Sequence, residues 1–186
     1  MTLYELFLFL HIVSAIIWLG AATTYVMLEL RTDLSGDIEL ETSHNDDAGW
    51  LAPRLFIPAA MGTLIFGILA AIEGNWSFDS LWIIVGLTGF ALSFLIGVGY
   101  FEPEIKKLAD EIEEKGATGP DVRRRVANLK MVGRIELVIL FIVVASMVIK
   151  PTGDDGGVLI ILATVLAVVC VAALAWRARM STAVQS

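Results

Sequence analysis

Long uncharged apolar runs alternate with short charged stretches along the chain, and the runs show no period-2 alternation. About five of them approach the roughly 20 residues that carry a helix across about 30 Å of hydrocarbon. They cover 6–28, 55–72, 81–101, 131–149 and 158–176. Lipid offers the backbone no hydrogen-bond partner, so each run must satisfy its own amides internally and is predicted to be a helix. The expected fold is all-α, a polytopic transmembrane helical bundle forming a single domain over residues 1–186. No internal repeat interrupts it.

The polar interval between spans three and four has a pattern of its own. Ile105, Leu108, Ala109 and Ile112 recur at i, i+3, i+4 and i+7 against a charged face, which predicts an amphipathic helix. This helix should lie on the membrane surface or against the bundle. Gly116 stops it, and Pro120 opens a second helix that continues into span four. The same interval carries Lys106, Lys107, Lys115, Arg123, Arg124, Arg125 and Lys130, whereas the 73–80 connection carries no Lys or Arg. The positive-inside rule therefore assigns the interval to the cytoplasm. Threading outward from it, the N-terminus lies outside and the C-terminus inside, in agreement with Arg177 and Arg179. Trp50, Trp76, Trp82 and Trp176 fall where interfacial aromatic anchors belong.

Composition strengthens the membrane reading, because 57% of residues are hydrophobic and the mean hydropathy is +0.78, more than a soluble domain can bury. The net charge of -7 belongs to the connections between spans. Met1-Thr2-Leu3-Tyr4-Glu5 lacks the basic start of a secretory signal, so the first run is expected to be a retained span. The sole cysteine, Cys170, excludes an intrachain disulfide and a cysteine zinc site. Glycine-rich phosphate loops, a nucleophile elbow and a basic face are all missing, so nucleic acid and soluble-enzyme chemistry are not expected. The lipid bilayer is the expected partner.

Candidate chemistry concentrates in span one. His11 is an ionisable side chain inside a membrane helix, which marks a functional site by default. Ser14 and Trp18 follow at i+3 and i+7 and share its face. A neutral imidazole beside a large ring suits a planar cofactor, haem b above all, with His11 as ligand to the haem iron. The alternative is a histidine that only hydrogen-bonds a neighbouring helix. His44 lies in a polar loop at the opposite face, so one subunit does not supply two axial imidazoles. The sixth position would be empty, filled by Met147, or filled by His11 of a second subunit in a homodimer.

Other polar features are weaker. Arg134 and Glu136 lie in the first turns of span four and point in different directions. Arg134 can reach the inner surface; Glu136 calls for a cation, with Arg54 the first candidate, or else acts as a proton-transfer carboxylate. Residues 33–47 form an acidic loop, with His44, Asn45, Asp46 and Asp47 at its end, and read as a solvated stretch without calcium-loop spacing. Gly86, Gly89, Ser93 and Gly97 make a small-residue packing stripe on span three. Pro58 and Gly62 are candidate kink positions in span two.

Leu10-His11-Ile12 followed by Trp18-Leu19-Gly20 resembles the opening helix of a bacterial membrane superfamily. That superfamily contains the copper-resistance protein D domain, the HemJ-type protoporphyrinogen oxidases and a group of uncharacterised predicted integral membrane proteins. The uncharacterised group fits best, because its late span ends in Met-x-x-Lys-Pro, matched here by Met147-Val148-Ile149-Lys150-Pro151. The resemblance implies a small helical bundle of the bacterial inner membrane and, for the HemJ-like branch, haem held by His11. The Pro-Arg-bearing stretch of that branch is replaced by Ala21-Ala22-Thr23-Thr24-Tyr25, so protoporphyrinogen oxidation does not carry over. Clustered Met or His ligands for Cu(I) transport are also missing. Two functional expectations remain: a haem- or redox-cofactor-binding protein, or a cofactor-free membrane subunit or transporter-like protein in which His11 and Glu136 are structural or handle protons.

Overall fold

The computed structural model describes residues 1–35, 50–116 and 119–183. No strand occurs among them, and the predicted all-helical class holds. The helices are α1 (Leu3–Ser35), α2 (Ile57–Glu73), α3 (Leu81–Ile96), α4 (Glu102–Lys115), α5 (Pro120–Ile149) and α6 (Gly156–Ala183). Among the described residues, five helical stretches are long and apolar enough to cross a bilayer: Leu3–Leu34, Pro53–Glu73, Leu81–Glu114, Asp121–Ile149 and Gly156–Ala173. The chain divides into two compact units, Met1–Ile84 and Val85–Ser186.

In the first unit α1 begins with a capping box. The Thr2 amide donates to the Glu5 carboxylate at 2.8 Å and the Glu5 amide donates back to the Thr2 hydroxyl at 3.2 Å, which satisfies two otherwise orphaned donors. Phe9, Ile12 and Ile16 are exposed on one face of α1, as lipid-facing side chains should be, and His11, Ser14 and Trp18 are half-buried on the other. α2 runs antiparallel along that second face. A Cβ added at Gly62 would stand 2.6 Å from Ser14 Oγ, one at Gly67 2.8 Å from His11 Nδ1, and one at Gly74 2.7 Å from the Tyr4 ring. Glycine therefore sets how closely α2 approaches α1.

Two π-helical turns have one physical cause. Ala52–Phe56 ends two residues before Pro58, and Gly97–Phe101 ends two residues before Pro103. Each proline lacks the N–H that would bond the carbonyl four residues earlier, and the ladder widens where that bond is lost. The Glu102 amide accordingly donates to the Gly97 carbonyl, five residues back. Pro58, predicted as a kink, acts in this way; Pro103 does the same.

In the second unit α5 carries a heptad seam. Val122, Val126, Leu129, Gly133, Glu136, Leu140, Val143 and Met147 recur at alternating steps of four and three, the spacing that keeps one stripe against a neighbouring helix. α3, its π-turn and α4 form that neighbour. Met147 Cε abuts Gly86, Val143 abuts Gly89, and the Phe101 ring would sit 3.7 Å from a Cβ at Gly133. Farther along, Leu108 packs with Val122 and Val126, joined by Ile112 and Leu129. The predicted amphipathic stripe is thus only half engaged: Leu108 and Ile112 meet α5, while Ile105 and Ala109 remain exposed. A two-helix seam covers a narrower stripe than the four apolar positions offer.

Leu81–Glu114 spans 34 residues, roughly 51 Å at about 1.5 Å per residue. That exceeds about 30 Å of hydrocarbon, so a single straight crossing does not use all of it; α4 and the start of α5 pair as a helical hairpin. The expected stop and start hold: Gly116 takes φ 79°, ψ 159°, which favours glycine, and Pro120 opens α5. α5 ends at Lys150 in the left-handed region, φ 51°, ψ 56°, followed by the fully buried Pro151.

Candidate functional site

His11 meets α2 along the Nδ1 edge of its ring. Its Nδ1 lies 2.7 Å from the main-chain oxygen of Thr63. A carbonyl only accepts, so Nδ1–H donates, and in the neutral ring the lone pair then lies on Nε2. The imidazole reaches that carbonyl because Gly67, one turn further along α2, presents no Cβ where the ring lies. Thr63 turns its own hydroxyl back to the Ala59 carbonyl at 2.8 Å, away from the histidine. Among the described residues Nε2 has no hydrogen-bond partner. A ring nitrogen oriented through the other by a carbonyl is compatible with metal ligation, and the same bond is the interhelical contact of the alternative reading.

The three residues predicted on this face fare differently. His11 and Ser14 both meet α2, Ser14 against Gly62, and Trp18 is half-buried one turn on. His11 would offer a planar metal cofactor one ring nitrogen. The site does not make a multidentate protein cage, because no group of three or more His, Cys, Asp or Glu converges among the described residues. His44, Asn45, Asp46 and Asp47, with Asp37, Glu39 and Glu41, lie outside the described residues; Asp33 is in the last turns of α1.

Glu136 sits on the α5 seam and accepts a hydrogen bond from the Ser93 hydroxyl. Ser93 is 3% exposed. Where the sequence suggests a cation, the described partner is a hydroxyl. Arg54 is otherwise occupied: its guanidinium lies 4.8 Å from the Trp50 ring centroid and donates to the Trp50 carbonyl at 3.2 Å. Arg134 is half-buried on α5. Met147 is a packing residue of the seam, its methyl group against Gly86.

Sequence reasoning missed a third cluster, at the hairpin. Arg125 donates from Nε and Nη2 to Glu111 at 3.1 and 2.7 Å and from Nη1 to Glu104, which also binds Lys107 at 2.8 Å. A pocket of about 270 Å³ opens beside it, lined by Glu104, Glu111, Asp121, Arg124, Arg125 and Asn128. Its charges are already paired with one another, Arg124 with Asp121 at 3.2 Å. The cluster clamps α4 to α5.

Long apolar helices, side chains that find their solvent in lipid and glycine-mediated helix contacts together define a multi-pass integral membrane protein. The chain belongs to the predicted integral membrane protein family DUF2269, whose model matches residues 5–151. The matched stretch includes His11, Thr63, Gly67, Ser93 and Glu136, stops at Pro151, and leaves α6 outside. No curated protein matches the chain, nor does any solved structure.

Proposed function

We propose that the chain is a bacterial inner-membrane protein that holds a b-type haem, or a redox cofactor of comparable shape, through His11 Nε2 near the outer face. The observation that carries this reading is the Nδ1–H bond to the Thr63 carbonyl, which in the neutral ring leaves the Nε2 lone pair without a partner among the described residues. Bound there, haem would supply one-electron chemistry. The chain's own part is to fix the ligand: Thr63 sets the tautomer, and Gly67 lets the ring lie against the helix. A second ligand, if the cofactor takes one, would come from His11 of a second subunit.

The excess of Lys and Arg in 102–130 supports a cytoplasmic hairpin, with α4 lying against α5, an outer N-terminus and an inner C-terminus. Kinship with the copper-resistance D and HemJ-type proteins rests on the His11 helix. A visible spectrum of detergent-purified protein, expressed with haem precursor supplied, tests the reading. A Soret band that His11→Ala removes supports it; colourless wild-type protein, or an unchanged band in the variant, rejects it. The second reading, a cofactor-free subunit or transporter-like protein, is favoured by a different observation, the Ser93–Glu136 pair.

A further inference from the structure

We propose that Glu136 and Ser93 form a proton-exchange site inside the membrane, independent of any cofactor at His11. Roughly 20 Å of helix, at about 1.5 Å per residue, separates Glu136 from the end of α5 at Ile149, which leaves the carboxyl about 10 Å inside the opposite edge of about 30 Å of hydrocarbon. Stability alone does not account for it. Leu140, Val143 and Met147 fill equivalent seam positions, and replacing a buried polar pair by apolar side chains is commonly neutral or stabilising.

The chemistry of the partner points to a proton. Paired with Lys or Arg, a carboxylate is held in its charged form; a serine hydroxyl is donor and acceptor at once. Ser93 donates to the ionised carboxylate, and accepts from the protonated acid after rotation of one O–H, with no heavy atom moved. The surroundings leave that choice open. Residues 85–101 of the facing helix and 156–173 of α6 contain no Asp, Glu, Lys, Arg or His, and their titratable groups are Tyr100 and Cys170. On α5 itself Arg134 is two residues away and points around the helix from Glu136.

Small residues flank the pair on the side of the hairpin. Gly97 follows Ser93 by one turn and opens the π-turn, and a Cβ there would meet nothing within 4 Å. On α5, Gly133 precedes Glu136 by one turn and faces the Phe101 ring. Two glycines and the Phe101 ring thus lie between the carboxyl and the charged hairpin, at the turn that Pro103 widens.

The test uses the full-length protein in lipid nanodiscs. Dicyclohexylcarbodiimide, which is lipid-soluble, adds across a protonated carboxylic acid to give an N-acylurea, with no leaving group; peptide mass mapping locates the adduct. Labelling at Glu136 is expected, with a rate that falls about tenfold per pH unit above its midpoint, as a single proton requires. Ser93→Ala should move that midpoint, and Glu136→Gln should abolish the adduct. Gly97→Leu should slow hydrogen-to-deuterium exchange of the carboxyl infrared band. Labelling at Glu136 that is absent or independent of pH, or that sodium chloride suppresses relative to choline chloride, overturns the proposal, the last in favour of a cation site. Should Glu136→Gln fail to fold, the wild-type map and pH series decide the matter alone.

Discussion

Adding one methyl group at Gly67 should release the imidazole of His11. An alanine Cβ there would stand 2.8 Å from Nδ1 and 2.9 Å from Cε1, whereas ordinary contact begins at 3.4 Å, so the ring must retreat by about 0.6 Å. That stretches the 2.7 Å bond to Thr63 to about 3.3 Å, outside the range of good N–H···O geometry. Losing such a bond costs about 0.5–1.5 kcal/mol net. Each kcal/mol changes an equilibrium ratio about fivefold, so the preference for the Nδ1–H tautomer should fall by a factor of that order. The chain has two histidines, which makes imidazole nitrogen-15 NMR decisive, with His44→Gln to assign the signals. In spectra recorded where the imidazole is neutral, wild-type His11 should be the Nδ1–H tautomer, and Gly67→Ala should shift it toward Nε2–H. A wild-type signal from the Nε2–H form, or a Gly67→Ala spectrum identical to wild type, refutes the reasoning.

Three further outcomes are expected. Arg125→Gln leaves Glu104 and Glu111 facing each other and should cost about 1–2 kcal/mol, between an exposed pair and a charge-assisted fork; faster amide exchange across 102–130, with α1 unchanged, is the readout. Lys150→Gly relieves a left-handed residue worth about 1–2 kcal/mol, so thermal unfolding should move up or stay, while Lys150→Ile should move it down. The Thr152 amide and hydroxyl both donate to Asp155 at 2.8 Å and hold its carboxyl below the usual carboxylate range. A depressed folded value contributes stability above the unfolded value that is lost as pH falls through the folded one. Acidification should therefore loosen the first turn of α6, seen as faster exchange at Val158 and Leu159, and Asp155→Asn should remove the dependence.

The membrane spans were legible because hydrocarbon imposes one simple rule on length and apolarity. Gly116 and Pro120 were legible because their backbone chemistry is local. The α5 seam was hidden in plain view: in an apolar helix the heptad positions look like every other position, and only Glu136 stands out. Its serine partner was visible as part of a small-residue stripe, but pairing two residues 43 apart needs the register between helices, which composition does not encode. The same holds for Thr63 and Gly67, whose role exists only relative to His11. Arg125 looked like one more positive-inside charge, since nothing local distinguishes a guanidinium aimed at two glutamates from its neighbours Arg123 and Arg124.

One stripe of α5 runs unbroken from the water-exposed hairpin into the lipid, and this constrains which changes in length the chain can accept. Deleting a single residue between Val126 and Gly133 would turn everything beyond it by about 100° about the helix axis, swinging the Glu136 carboxyl away from Ser93. Insertions at the Gly116 turn leave that phase untouched. The solvent-exposed half of this helix pair is thus the gauge that sets the azimuth of the embedded half.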